Sequence, residues 1–470
     1  MKLKYIGEKN GECDVNYGTT VAEGLRKLGV FLDSPCGGIG KCGKCRVVCR
    51  GGLIPADDEE IKVLGDSIKK GYRLACKAVI SGDVTVLGNC NTYAVKEEIS
   101  DIKIPEGVVC VDLGTTSVTA GCTVNGSAHF YTFKNPQSVY GADVISRISA
   151  SEKYLEEMRY IIKKSLADNV PNYEQSKKII SANTVMQLIY SGQSPISLGR
   201  CPYESPDLFG YTSGSESYMP CVGGFVGGDV VSGLFYAIQT EKIKEKTALY
   251  IDIGTNGEVV LIHDGEILSC ATAAGPCFEG AGVQCGMQAS DGAVYDVRSE
   301  NGKTVYSVIG GGKPTGICGS GIVSLISHLL ETDMLSHSGY LSEETYYICD
   351  GVYITRKDIR MIQGAKAAIG AGISVLCKRA EISVKDIEKV YVAGAFGEHL
   401  DINSAKNIGL LPDVTCETLG NCSLHGACLA AQNDENFDII CNFAKKIKYI
   451  ELSDAPEFTD EYINASLFLR

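Results

Sequence analysis

The sequence predicts an α/β protein in two parts, a small β-grasp domain followed by a duplicated, two-lobed α/β domain. Three observations predict it. Cys36, Cys42, Cys45 and Cys76 lie in the runs SPCGGIGKCGKC and YRLAC, the stretch NTYAVKEEISDIKIPEG breaks the chain near its hundredth residue, and a buried-strand pattern runs into DxGT twice, at Asp112 and at Asp252. Residues 1–90 read as the small domain. Lys2 to Ile6 is its expected opening strand, Val21 to Leu28 its helix, and Gly82-Asp83 a turn before the strand Val84-Thr85-Val86.

The cysteines carry the first piece of chemistry. Three thiolates on one short loop can wrap a compact inorganic cofactor, and the intervening glycines let backbone N–H groups turn toward its sulfides. A fourth ligand from a distant strand closes the site. The plant-type ferredoxin pattern is CxxxxCxxC with a remote Cys; here the first gap is one residue longer, the spacing of the adrenodoxin-like branch of the same fold. Cys36, Cys42, Cys45 and Cys76 are therefore expected to hold a [2Fe-2S] cluster. A zinc site usually pairs two CxxC-like knuckles, and only one is present. Free buried thiols leave the glycine-rich loop unexplained. Cys49, close to the loop, reads as a spare.

Composition bounds the rest. The chain has 470 residues, 21% of them charged and 44% apolar, enough for about three domains and more than one core. A net charge of −13 argues against general nucleic-acid binding, which needs a basic face. The 21 cysteines, an odd number without a secreted-domain framework, imply a reducing compartment and an oxygen-poor cell. The start MKLKYIGEKNGECDV has no apolar signal core, and no stretch reaches the roughly 18 apolar residues of a membrane span. A cytoplasmic protein is expected.

Residues 91–107 are polar, charged and without sustained periodicity, and read as a linker. Residues 108–470 form the second domain. Val108-Val109-Cys110-Val111 leads into Asp112-Leu113-Gly114-Thr115-Thr116, and Ala248-Leu249-Tyr250-Ile251 into Asp252-Ile253-Gly254-Thr255-Asn256. Each copy is followed by a second strand and a hairpin signal, Asn125-Gly126 and Asp264-Gly265. In such a turn the glycine admits a phosphate to the backbone, Thr and amide hydrogens donate to its oxygens, and the carboxylate at the strand end can hold Mg²⁺ directly or through water. One DxGT is commonplace; two with matching flanks are not.

With these motifs the chain resembles the actin, sugar kinase and Hsp70 superfamily of ATP-binding proteins. Asp112 to Thr116 and Asp252 to Asn256 are similar to its two phosphate motifs. Gly223-Gly224-Phe225-Val226-Gly227-Gly228-Asp229, opening an amphipathic stretch Val230 to Ala237, is similar to the first connecting helix. Val390-Tyr391-Val392-Ala393-Gly394-Ala395-Phe396-Gly397 is similar to the adenosine motif, and Gly420 to Ala427 to the second connecting helix. The resemblance implies Asp112, Asp229 and Asp252 as catalytic carboxylates. It implies Gly114, Thr115, Thr116, Gly227, Gly228, Gly254, Thr255, Asn256, Gly394, Ala395 and Gly397 as ATP-binding positions.

A ferredoxin-type domain ahead of such an ATPase fold resembles the reductive activators of corrinoid proteins. The loops Thr272-Ala273-Ala274-Gly275-Pro276 and Gly316-Ile317-Cys318-Gly319-Ser320-Gly321 and the closing Ala465-Ser466-Leu467-Phe468-Leu469 extend the resemblance over nearly the whole chain. It implies an ATP-hydrolysing activase that passes one electron from the [2Fe-2S] cluster to reduce inactive Co(II) to Co(I). The implied partners are a corrinoid protein of a methyltransferase system and an external low-potential electron donor, with a homodimer as a possible assembly and no membrane. Larger members carry a further domain before the first phosphate motif, whereas here Pro105 and Gly107 lead straight to Val108. Cys277 stands where a small apolar residue is expected.

Two other readings compete. One is a redox-sensing small-molecule kinase of the same superfamily, which would respond to a metabolite, and no convincing sugar-binding signature is found. The other is an ATP-dependent electron donor to a different anaerobic enzyme, whose activators hold a [4Fe-4S] cluster between subunits. Asp229 also suits a helix N-cap, and Glu258 a solvated strand position. Cys416, Cys422 and Cys428 recur every six residues, which does not keep to one helix face. Gly310-Gly311-Gly312-Lys313 lacks the GxxxxGK[ST] spacing of a P-loop.

Overall fold

A computed structural model describes all residues except 8–9, 33, 35, 89–94, 201–209, 255 and 469–470. They fall into two compact units: 1–101 with 113–176 and 185–204, and 102–112 with 177–184 and 205–470.

In the first unit a five-stranded sheet runs in the order Gly11–Asp14, Lys2–Ile6, Ile80–Leu87, Arg46–Leu53, Tyr72–Leu74. The opening strand alternates because Leu3 and Tyr5 point into the core while Lys2 and Lys4 face water. It pairs in parallel with Ile80–Leu87, Leu3 opposite Val84, which closes a β-grasp sheet from its two ends. The helix Val21–Lys27 starts where Thr20 caps the backbone of Glu23 and Glu23 returns the bond, a capping box, and it buries Val21 and Leu25 on the sheet.

Two expectations are corrected. Gly82-Asp83 is not a turn but lies inside the strand Ile80–Leu87. A Cβ on Gly52 would strike Gly82, so the two glycines let the strands close together at the irregularity between Gly51 and Leu53. Within the segment read as linker, Lys96–Ser100 is a strand, antiparallel to Ser127–Lys134 with Ile99 opposite His129. Ile99 is 74% exposed, so the strand is held by backbone pairing and leaves no burial pattern to read.

The first hairpin, Ser117–Val124 with Ser127–Lys134, turns at Asn125 and Gly126, both at positive φ. The helix Val144–Asn169 follows, its N-terminus capped by Asp143 on Ser146 N.

The second unit repeats the device. Thr247–Ile253, Gly257–His263 and Glu266–Thr272 form a meander whose second turn is Asp264 and Gly265, again both at positive φ. Lys389–Ala393 and Thr415–Gly420 extend that sheet in parallel beyond Thr247–Ile253. Elsewhere in the unit Tyr211–Ser213, Glu216–Tyr218, Lys177–Ala182 and Val108–Leu113 are successive neighbours. The helices Gly228–Gln239 and Cys422–Ala431 pack where Gly426 rests on the Ser232 carbonyl, an approach any side chain would block. Among the described residues no helix is long and apolar enough to cross a membrane.

Candidate functional site

The four cysteines of the first unit come together two and two. Gly37, Gly38, Gly40 and Gly43 all take positive φ, between 62° and 88°, so the loop from Cys36 to Cys45 coils in a conformation that side chains resist. Cys36 is bonded to the thiol of Cys42 and to the backbone N–H groups of Cys42, Lys41 and Gly40, which together pull its thiol down to about 4. The sulfurs of Cys45 and Cys76 are 3.3 Å apart, and Cys45 is drawn down to about 7, first by that contact. Among the described residues no three His, Cys, Asp or Glu converge on one ion. Two sulfur pairs suit a binuclear group, in which each iron takes two protein ligands, better than a single metal.

The surroundings fit as well. Cys45 and Cys76 line a cavity of about 210 Å³ together with Ser34, Gly38, Tyr140 and Tyr154. The buried Ser34 hydroxyl has no hydrogen-bond partner among the described residues, as expected of a donor waiting for a sulfur acceptor. Cys76 is placed by an ion pair. Glu60, 1% exposed, takes both Nε and Nη2 of Arg73, at 2.8 and 2.9 Å, and the Leu74 N–H at 2.7 Å, fixing the strand two residues before the ligand. Cys49 is buried in the core, and burial pushes its thiol up to about 12.

The second centre is a group of carboxylates in the second unit. Asp112 ends the strand Val108–Leu113 and accepts from Ser423 Oγ at 2.7 Å and Asn421 Nδ2 at 2.9 Å. Asp252 lies at the matching position of Thr247–Ile253. Burial, then Asp112 and Glu279, raises its carboxyl to about 7. Asp229 rises to about 8, through burial and then Asp252. It is not the helix cap, because Gly227 occupies that position and Asp229 is the second helical residue. Glu258, opposite Asp252 across the sheet, is buried rather than solvated, and burial with Asp229 and Asp252 nearby drives its carboxyl well up.

The glycines of this centre are steric. A Cβ on Gly394 would strike the Asp252 carboxylate, so the adenosine-motif turn closes directly over the second strand end. Gly227 presses on the backbone of Asn183, Gly228 on Met219, and Gly397 on Val392. Gly254 donates its N–H to the Asn256 carbonyl at 2.9 Å, and Asn256 bonds Glu258. Thr255 lies outside the described residues, and Ala395 falls in the helix Gly394–Glu398.

Gly114, Thr115 and Thr116 belong to the first unit. The Gly114 carbonyl accepts from Asn135 Nδ2 at 2.8 Å, and the Thr115 carbonyl from Arg147 Nη2 at 2.6 Å. Arg147 is wholly buried and also donates Nε to the Gly141 carbonyl at 3.1 Å. Sequence reasoning missed Asn421, Ser423 and Arg147. Asn421 and Ser423 stood inside a motif read only as a helix; Arg147 gives no local signal, since its partners lie 32 and six residues away. Cys422 and Cys428 are buried helix residues, and Cys277 is buried in the turn Pro276–Glu279.

Three family profiles match in succession: a 2Fe-2S iron-sulfur cluster binding domain over residues 5–81, the RACo middle region over 107–241, and the C-terminal ASKHA domain of RACo over 246–470. The chain belongs to the reductive activators of corrinoid proteins. Among them, the corrinoid activation enzyme RamQ of Eubacterium limosum is 29% identical, the match covering 97% of each chain. A [Co(II) methylated amine-specific corrinoid protein] reductase of Methanosarcina barkeri is 26% identical over 56% of this chain and 53% of its own. A solved reductive activator for corrinoid, iron-sulfur protein aligns with a TM-score of 0.64 at 25% identity, covering 99% of this chain and 98% of that one. The profile named for the middle region starts at residue 107 and contains the first DxGT, so that part of an activator is present here. The domain set brings a [2Fe-2S] cluster and an ATP-binding fold to this chain.

Proposed function

We propose that this activator uses ATP to restore a corrinoid protein of a methyltransferase system, returning its cobalt from Co(II) to Co(I) with one electron from an external low-potential donor. One observation carries the reading: a single chain joins two sulfur pairs set for a binuclear iron group to a group of half-buried carboxylates that includes both duplicated strand ends. The relatives named above support the acceptor. When held by Cys36, Cys42, Cys45 and Cys76, the [2Fe-2S] group supplies one-electron chemistry near roughly −400 mV.

The carboxylates serve the nucleotide. Asp112 and Asp252 would hold Mg²⁺, directly or through water, where it would neutralise charge on the nucleotide phosphates. Asp229, whose carboxyl is raised by burial and by Asp252, is placed to orient the attacking water. Glu258 and Asn256 support the metal side. Gly394, Ala395 and Gly397 serve the adenosine, and Gly227, Gly228, Gly254 and Asn256 bring backbone to the phosphates.

ATP is needed because Co(I) is a very strong reductant and each ~59 mV of uphill one-electron transfer costs a factor of ten. Nucleotide binding drives a change of shape that alters the environment of the docked cobalt, and hydrolysis makes the cycle directional. The test is anaerobic: protein, reductant and candidate Co(II) corrinoid proteins are mixed with and without Mg-ATP, and the Co(I) absorbance is followed. Co(I) formation that is equally fast and complete without nucleotide would sink the proposal.

A further inference from the structure

The face around the cysteine loop is charged against the sign of the chain. Between Cys36 and Lys77 there are nine lysines and arginines and five acids, in a protein of net charge −13. Lys41 and Lys44 stand exposed on the loop itself, and Lys62 on the helix Asp58–Leu64 beside it. The two elements touch, since a Cβ on Gly43 would lie 3.1 Å from Val63 Cγ1. Asp57 and Glu59 are held by Lys77, and Glu60 by Arg73, leaving Asp58 as the one acid of this helix outside those pairs; Lys41, Lys44 and Lys62 make no ion pair among the described residues. Three apolar side chains lie between the lysines: Ile39 is 58% exposed, Ile61 48% and Val63 37%. On the cavity side Cys45 and Cys76 share the lining with Tyr140 and Tyr154.

We propose that this patch is the docking surface for an acidic electron-carrier protein, which reduces the chain's iron-sulfur group through the loop from Cys36 to Cys45. The proposal rests on the electron-transfer reading of the four thiolates and is independent of the corrinoid acceptor. An acidic carrier is repelled by the overall field of a −13 protein, so a local cationic patch decides where it lands. A small apolar centre ringed by lysines suits the low-area, short-lived contacts of redox partners. The step moves one electron: the carrier is oxidised by one, the chain's group is reduced by one, and no bond or proton changes hands.

The test uses the full loaded chain and an acidic [4Fe-4S] ferredoxin as probe. Binding is followed by calorimetry at low and at physiological ionic strength, and the bleaching of the chain's visible spectrum by stopped flow. Lys41→Glu, Lys44→Glu and Lys62→Glu together are expected to weaken binding and slow ferredoxin-driven reduction at least about tenfold, and to flatten its salt dependence. Reduction of the Lys62→Glu variant by titanium(III) citrate should stay unchanged. Lys62→Glu alone, which leaves the cysteine loop intact, should give a partial loss with an unaltered visible spectrum. Salt-independent or absent binding by the wild type, or equal binding by the triple variant, overturns the proposal. So does a variant that is reduced normally by ferredoxin but, once reduced, no longer forms Co(I), because the patch then serves the acceptor.

Discussion

At the scale of single residues, Asn421 does two jobs with one amide. Its Oδ1 accepts from the Leu424 N–H at 3.0 Å, capping the helix Cys422–Ala431, while its Nδ2 donates to Asp112 at 2.9 Å. Asn421→Asp separates the two. The cap survives, since Asp and Asn cap equally well, but a carboxylate then faces Asp112, whose own carboxyl is already raised by burial. Mg-ATP affinity is expected to fall, and the melting temperature of the nucleotide-free protein to fall with it through the lost donor and the like charge rather than through the cap; titration calorimetry and thermal unfolding check the two halves. Asp112 was legible in the sequence because DxGT repeats. Its donors were not, because they are 309 and 311 residues away along the chain.

At the scale of elements, two buried cations hold functional loops in place. Glu60→Gln leaves the Arg73 guanidinium buried without its counter-charge, and loss of one partner of such a pair costs about 3–5 kcal/mol. The substitution is expected to release iron from the loaded protein, read as faster bleaching of the visible spectrum under a chelator, because the strand Tyr72–Leu74 leads directly to Cys76. Arg147 acts on the other loop. Its guanidinium reaches the carbonyls of Thr115 and Gly141 at once, a fork that a lysine's single ammonium cannot reproduce. Arg147→Met removes a charged donor from both carbonyls, at about 1–3 kcal/mol each. Arg147→Lys should recover part of that stability while nucleotide affinity stays low, measured by denaturant unfolding beside nucleotide titration. The helix Val21–Lys27 and both hairpins were readable locally, from a capping box and from Asn-Gly and Asp-Gly turns. The strand Lys96–Ser100 was not, since a fully exposed edge strand has no burial pattern and exists only through its neighbour.

At the scale of the whole molecule, the carboxylates tie stability to pH and to nucleotide. Asp252 and Asp229 titrate in the fold at about 7 and about 8, above the ordinary carboxylate range, so between that range and pH 8 the folded chain holds protons that the unfolded chain has released. Stability of the nucleotide-free protein is therefore expected to fall as pH rises through this window. Mg²⁺, in the role proposed for it, supplies the missing positive charge once these carboxyls have lost their protons, so the stabilising effect of Mg²⁺ should be larger at pH 8 than at pH 6 in thermal unfolding. A nucleotide-free melting temperature that rises over the same range would contradict the assignment.

The sequence by itself determined the parts: four cysteines at ferredoxin spacing, two DxGT hairpins, and the order of motifs that marks an activator. These are short-range patterns, set by a loop's need for glycine and a strand end's need for a carboxylate. Only the tertiary structure decided how the parts are tuned. It pairs Cys36 with Cys42 and Cys45 with Cys76, buries Glu258, displaces Asp229 from the cap, and brings Asn421, Ser423 and Arg147 to loops far away in sequence. The physical reason is that burial and charge proximity are properties of three-dimensional packing, and a linear pattern carries neither.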